Sequence, residues 1–312
     1  MLDQFPAVLR MMLNLRIRIN ILLQAIRLFL SVCLFRVSRL AQRQKNFFEG
    51  LLPEGFARKC VANWIHTSED DYLTILSVLG SECLGALRVS DNIHDSGDYK
   101  PLSIESVKAL AKEGVSKSTE LITEAHLSLT GASGKVGLYY DPERNMWYQP
   151  QGDAPSTHIV KQSHVRLSDI VTNEQLSLTA ASKLGISIPE SFIINTGAAR
   201  DDEILFATKR YDRVIPKNAA YINGLIRPFR LHQEDFAQAL GIPAYEKYEN
   251  GNKQYLLKAF QLLKNNVAGP LTDQLKLWDM LIYDYLNCII GCIRWRMKRK
   301  RYMCLSRIRT LL

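Results

Sequence analysis

Three short stretches of this sequence combine residue types that handle phosphate. Ser128-Leu129-Thr130-Gly131-Ala132-Ser133-Gly134-Lys135 is a run of small residues leading into an apolar stretch. Small side chains let backbone N–H groups approach phosphate oxygens, and Lys135 adds a cation beside them. The run lacks the spacing of a Walker motif, and taken alone it reads as a hairpin turn. Pro155-Ser156-Thr157-His158-Ile159-Val160-Lys161 follows, with a lysine after an apolar pair, and Asn173-Glu174 then places a carboxylate in a helical pattern. Separately, Lys161 is a strand-end lysine and Glu174 one more helix acid. In this order they make a loop over phosphates, a strand lysine to bind them and a helix glutamate to hold that lysine by an ion pair.

The elements that must position these groups follow from periodicity. Lys135 to Tyr140 and Thr157 to Lys161 read as strands, Leu167 to Leu184 as an amphipathic helix ending at Gly185, and Ser191 to Ile194 and Ile204 to Thr208 again as strands. Strand, strand, helix, strand, strand is an α+β layer and lacks the regular alternation of a doubly wound sheet. After Asp212 the pattern predicts helices over 233–240, 252–265 and 271–291. Ahead of the layer, residues 46–93 form a smaller unit. It holds a helix led by Phe47 to Gly55, a second helix over 68–79 with Ser68 as N-cap and Gly80 as stop, and a short strand from Leu84 to Val89. Asp, Gly, Pro and Ser over 90–104 have the mixture expected of a linker.

The 312 residues carry 40 basic and 31 acidic side chains, a formal +9 that would ordinarily suggest nucleic acid or an anionic membrane as partner. The charge is unevenly placed. Residues 1–46 hold eight Lys/Arg against one acid, residues 294–312 hold eight against none, and the body between them is net −6. A basic-tailed nucleic-acid or membrane binder is therefore ranked last. Six cysteines without repeated spacing suit a reducing, cytoplasmic setting, and Cys288-x3-Cys292 has no second pair near it to complete a zinc site. Residues 19–35 are largely apolar, but Asn20, Gln24 and Arg27 interrupt any membrane span, leaving a basic amphipathic helix as the membrane alternative.

The order of loop, strand lysine and helix glutamate is that of protein-kinase-like folds, and further motifs sharpen the likeness. FFEGLLPEG at 47–55, LGSECLGALRV at 79–89, SLTGASGK at 128–135, PSTHIVK at 155–161, NE at 173–174, KRYDR at 209–213, LHQEDFAQALG at 231–241 and KYE at 247–249 occur in one sequence. Together they resemble the HipA family of bacterial toxin serine/threonine kinases of type II toxin–antitoxin systems, from about Asn46 to about Gly291.

The resemblance implies an α+β, protein-kinase-like fold of two lobes with a small N-terminal α/β subdomain. Its expected division is an anomalous basic segment at 1–45, the N-terminal subdomain at 46–93, a linker at 94–125, the kinase domain at 126–291 and a basic tail at 292–312. It implies an ATP site with Mg²⁺, in which Gly131, Ala132, Ser133, Gly134 and Lys135 cover the phosphates. Lys161 would bind them and Glu174 would hold Lys161. Lys209 to Tyr211 would supply the hinge backbone that meets adenine, and Asp212 would lie near the ribose. Ser128 matches a loop serine that family members autophosphorylate. The implied partners are a small helix-turn-helix antitoxin, DNA only through that antitoxin, and a protein substrate such as an aminoacyl-tRNA synthetase, with no membrane.

The family pattern breaks after the apolar helix LIYDYLNCIIG at 281–291, where a string resembling GNxDxHxKN should supply the catalytic Asp and a metal-binding Asn. Cys292-Ile293-Arg294-Trp295-Arg296 follows instead, and no Asp, Glu or His occurs after Asp284. Asp284, inside the helix, is a poor substitute base. The expectation is a kinase by descent with no catalytic residues and an incomplete C-terminal lobe, or, alternatively, a non-catalytic remnant that binds an antitoxin. Both basic ends read as translated out of the ancestral frame. Reading the encoding DNA in all frames should reveal a GNxDxHxKN-like string just beyond the codon for Gly291, and its absence there would remove the frame explanation.

Overall fold

A computed structural model describes residues 37–89, 96–113, 135–162, 169–197, 200–248, 253–287, 294–298 and 302–305. The described residues open with three helices, α1 (Val37–Glu49), α2 (Gly55–Trp64) and α3 (Tyr72–Leu79). Asp71 caps α3, accepting from the Thr74 amide at 3.1 Å and the Thr74 hydroxyl at 2.6 Å. Ser68, the expected cap, sits one turn earlier, where its hydroxyl accepts from the Asp70 amide. Leu84 to Val89 forms no strand. Gly85 turns the chain there with φ +78°, and its amide is taken by a distant carboxylate described below.

The central element is a six-stranded antiparallel sheet in the order β1-β3-β2-β4-β6-β5. Its members are β1 (Asp98–Pro101), β2 (Lys135–Asp141), β3 (Met146–Gln151), β4 (His158–Gln162), β5 (Ser191–Asn195) and β6 (Ile204–Lys209), with α4 (Ile104–Glu113) after β1 and α5 (Ile170–Lys183) between β4 and β5. Two of these elements correct the sequence reading. Residues 94–125, expected to be a linker, contain the edge strand β1 and the helix α4. Tyr99 of β1 is buried and its hydroxyl donates to Pro155 O at 2.8 Å. The pattern hid β1 because it is short and carries Pro101, a residue that only an edge position accepts. The hairpin strand β3, paired on one side with β1 and on the other with β2, likewise has no clear strand pattern in the sequence.

One face of the sheet carries Val136, Leu138, Trp147, Val160, Leu205 and Ala207, which share a single core with Phe47, Leu51, Leu52, Val61, Ile75, Leu76 and Leu79 of the N-terminal helices. The opposite face carries Phe206 and Ile204 and packs under Val171 and Leu178 of α5. The N-terminal unit is thus the second cover of the sheet, and each layer buries a face that would otherwise meet water.

After β6 the chain was expected to become helical. It first makes five short strands, β7 (Arg213–Val214), β8 (Ala220–Ile222), β9 (Leu225–Arg227), β10 (Phe229–Arg230) and β11 (Gln233–Asp235). The predicted helix over 233–240 is only α6 (Phe236–Leu240), because Asp235 closes a reciprocal capping box with Gln238 and starts the helix late. Then come α7 (Tyr255–Asn266) and α8 (Pro270–Leu286). Ala259, Leu263, Leu277, Met280 and Tyr283 form a second core with Ala181 of α5, and the Tyr283 hydroxyl donates to Ser177 O.

Both basic ends enter described elements. Residues 37–45, placed in the anomalous N-terminal segment, are the first part of α1. Within the C-terminal tail, β12 (Arg294–Lys298) and β13 (Tyr302–Leu305) pair, and β12 lies antiparallel to β11 in the register Gln233↔Arg296. Charge composition does not report backbone pairing, and β11 offered an open edge.

Two buried groups make stability depend on pH. His158 on β4 sits in a ring cluster with Tyr140, Trp147 and Phe192. Burial, reinforced by the Lys209 charge, holds its imidazole down to about 4. Asp284 on the inner face of α8 has an oxygen without a hydrogen-bond partner, and burial pushes its carboxyl up to about 7. The neutral form is favoured in both. His158 therefore costs stability as pH falls from 6.5 towards 4, and Asp284 costs stability as pH rises from 3.8 towards 7. Between about pH 4 and 6.5 the two slopes oppose and nearly cancel, so these groups together leave the thermal midpoint almost level there. His158→Phe should unmask a midpoint that falls as pH rises through this window, and Asp284→Asn one that falls as pH drops through it, each change worth up to about 3 kcal/mol.

Candidate functional site

The lysine and glutamate singled out in the sequence meet in space. Lys161 Nζ lies 2.5 and 2.8 Å from the two oxygens of Glu174, and both side chains are almost fully buried. Spacing along α5 explains the meeting. Val171, Leu178 and Ala181 are the buried stripe of the helix, and Glu174, three residues after the first and four before the second, shares that face. On β4, Lys161 is directly opposite Phe206 of β6 and Lys135 of β2, so all three side chains share the face that α5 covers. The ammonium stands 5.5 Å from the Phe206 ring centroid. Two lysines directly opposite one another repel, and an anion placed beside them would relieve the repulsion. Ser128, Gly131, Ala132, Ser133 and Gly134 lie outside the described residues, as do Cys288 and Cys292.

The expected hinge segment is held differently from its expectation. The Lys209 amide donates to Glu190 O and the Arg210 amide to Thr157 O, at 2.9 and 2.8 Å, so these two donors already serve the sheet. The Lys209 side chain is opposite His158, on the face away from Lys161, and pairs with Glu190 at 2.7 Å. Tyr211 is half-buried just beyond the end of β6. Asp212, expected near a ribose, is buried. Its carboxylate takes Arg210 at 2.8 Å, Arg213 at 3.1 Å and the Gly85 amide at 2.7 Å. Two guanidinium groups beside it hold it far below the usual carboxylate range. The carboxylate is committed to arginines and to the turn at Gly85.

Asp212 belongs to a buried ionic cluster that sequence reasoning missed. Glu82, after α3, is its hub. Oε1 accepts from Arg210 at 3.0 Å, from Arg213 at 2.9 Å and from the Ser156 hydroxyl at 2.8 Å, and both carboxylate oxygens accept from the Ser156 amide. Arg210 also reaches Cys83 O, and Arg213 reaches Gly85 O. Outside this group, Asp153 gathers Arg88, Arg227 and Arg230. Three arginine charges outweigh the cost of burying Glu82 and hold its carboxyl low. The available signal is the alternation of sign in Arg210, Asp212 and Arg213, together with Glu82 inside LGSECLGALRV.

A second junction joins other motifs. Gln238 donates to Phe47 O and Asn46 to Gly241 O, while Lys247 bridges Glu54 at 2.8 Å and Asp235 at 3.4 Å.

A family model described as the HipA-like C-terminal domain matches residues 127–289, and one described as the HipA N-terminal domain matches residues 25–90. The chain belongs to the HipA family. The N-terminal HipA match starts at residue 25, ahead of the boundary expected at 46. Among curated relatives, the chain is 29% identical over 257 residues to "Putative kinase Y4mE" of Sinorhizobium fredii, covering 79% of this chain and 57% of that protein. It is 26% identical over 215 residues to "Putative kinase Y4dM" of the same organism, covering 66% and 47%. The chain thus spans about half the length of the curated relatives it matches. The fold resembles HipA of Shewanella oneidensis MR-1, solved with HipB and its operator DNA. That match has a TM-score of 0.64 at 19% identity, over 86% of this chain and 63% of that one.

In this HipA-family protein, Glu174→Gln should leave the Lys161 ammonium buried without its counter-charge and cost about 3 kcal/mol in urea unfolding. The double variant Lys161→Met/Glu174→Gln should recover most of that loss.

Proposed function

We propose that this chain is a nucleotide-binding protein built on the serine/threonine protein-kinase plan of its family, with ATP as the nucleotide and no phosphoryl transfer of its own. The ion pair between Lys161 and Glu174, on the sheet face that also carries Lys135, is the observation that carries the reading. It leaves a cation at a fixed height above the sheet, held by a helix, and such preset positive charge is what binds phosphates before any chemistry begins. Lys135 would meet the same phosphates from the adjacent strand, with the loop from Ser128 to Gly134 above them. Asp212 has no part in nucleotide contact on this reading, since its carboxylate is committed to the arginine cluster.

Transfer fails on this reading for want of a base and of metal ligands. A kinase needs an Asp to accept the substrate hydroxyl proton and carboxylate or amide oxygens for Mg²⁺. Among the described residues no group of three or more His, Cys, Asp or Glu is placed to hold a metal ion, so no step is routed through Mg²⁺. Asp284 is buried on α8, where neither a substrate hydroxyl nor a hydrated metal ion has access to its carboxyl, so it suits neither role. Partners are proposed by likeness alone: a small helix-turn-helix antitoxin, with DNA reached through it, and in catalytically complete relatives a serine or threonine of a protein such as an aminoacyl-tRNA synthetase. Among the described residues no helix is long and apolar enough to cross a membrane, and a cytoplasmic setting is part of the same proposal.

A fluorescent ATP analogue should bind the purified chain and be lost from Lys161→Ala. Incubation with γ-labelled ATP and Mg²⁺ should label neither the chain nor an added synthetase. Absence of binding would sink the nucleotide reading, and label transfer would sink the inactivity.

A further inference from the structure

We infer that Glu82 is a positioning residue for the hinge, so that the N-terminal unit sets how tightly the kinase-like domain holds nucleotide. The inference rests on the nucleotide reading above and extends it to a residue far from Lys161. Residues 82–85 and 210–213 are far apart in sequence, yet every polar bond between them is buried. Arg210 and Asp212 are sealed from solvent, and Arg213 nearly so. Glu82 fixes the chain on both sides of the strand pair that leads into the hinge. It takes the amide and hydroxyl of Ser156, two residues before β4, and the guanidinium groups of Arg210 and Arg213, just after β6. Gly85 adds main-chain bonds in both directions, donating to Asp212 and accepting from Arg213. A side chain at Gly85 would press on the Gln233 amide at 2.9 Å, so the approach admits only glycine.

The consequence lies in what is left to move. Apolar packing along β4 and β6 fixes the middle of each strand, where Val160, Leu205 and Ala207 lie. Past Lys209 no apolar side chain of the segment joins that core, and Asp212 and Arg213 are held by charge and hydrogen bonds. Removing the hub should therefore loosen this segment and the approach to β4 at Ser156 while the middle of the sheet persists, and Lys161 on β4 then meets a ligand more weakly because its ordering must be supplied on binding.

Hydrogen exchange and nucleotide titration test the idea on the full chain. In Glu82→Gln, amides over 210–213 should exchange about tenfold faster than in the wild type while those of β2 and β3 keep their protection. Affinity for the fluorescent ATP analogue should fall by about tenfold. Arg144→Ala, on the β2–β3 turn, should change neither. Glu82→Gln exposes a buried arginine pair to imbalance and can unfold the protein. The double variant Glu82→Gln/Arg213→Gln therefore removes one charge of each sign and should regain the wild-type thermal midpoint while its hinge still exchanges fast. Wild-type hinge protection in that double variant, or global unfolding of both variants, overturns the inference, because the cluster would then be fold-wide support. If the wild type binds no nucleotide, the functional reading fails, and the exchange comparison still decides the role of Glu82.

Discussion

The arrangement depends on a carboxylate buried among arginines. Glu82 is taken out of water in the segment that follows α3, and such a group persists only where opposite charges and hydrogen bonds surround it. Arg210, Arg213 and Ser156 supply them, with Arg230 at 3.7 Å. Satisfying that one side chain brings together the N-terminal unit, the approach to β4 and the exit from β6. The apolar core common to the N-terminal helices and the sheet supplies most of the attraction, but it is non-directional. The charge cluster specifies the register in which the two parts meet.

Seen from this junction, the chain's scattered motifs are partners of one another. The segment around Glu82 answers KRYDR, FFEGLLPEG answers LHQEDFAQALG and KYE, and the strand lysine answers the helix glutamate. Only the last pair lies on the sheet face that also carries Lys135. The two junctions explain why much of the recognisable sequence lies outside any nucleotide site, since polar contacts in a dry interface tolerate little change in shape or charge.

The same distinction separates Asp212 from Lys161. Both are buried charged residues beside the expected cleft, and both matched a family position. Lys161 pairs with the Glu174 carboxylate and lies on a sheet face directly opposite a second lysine, where two positive charges stand together. Asp212 is engaged by two guanidinium groups and an amide, and its charge is already spent on holding the chain together.

Local pattern was enough for the α+β layer and for the order of loop, lysine and glutamate. The runs at β2, β4, β5 and β6 and the stripe of α5 have strong periods, and their positions emerge within a few residues. The edge strand β1, the hairpin strand β3 and the short strands after Asp212 were not legible, because their pairing is decided by partners distant in sequence and not by their own residues. Nor could spacing tell which charges would be enclosed. An arginine at 210 or a glutamate at 82 is an ordinary polar residue until tertiary packing removes the water around it, and burial is a property of the assembled layers. The sequence by itself determined which family this chain belongs to and which lysine faces a glutamate. Only the tertiary structure decided that the hinge acid serves the fold, because only there do the arginines converge on it.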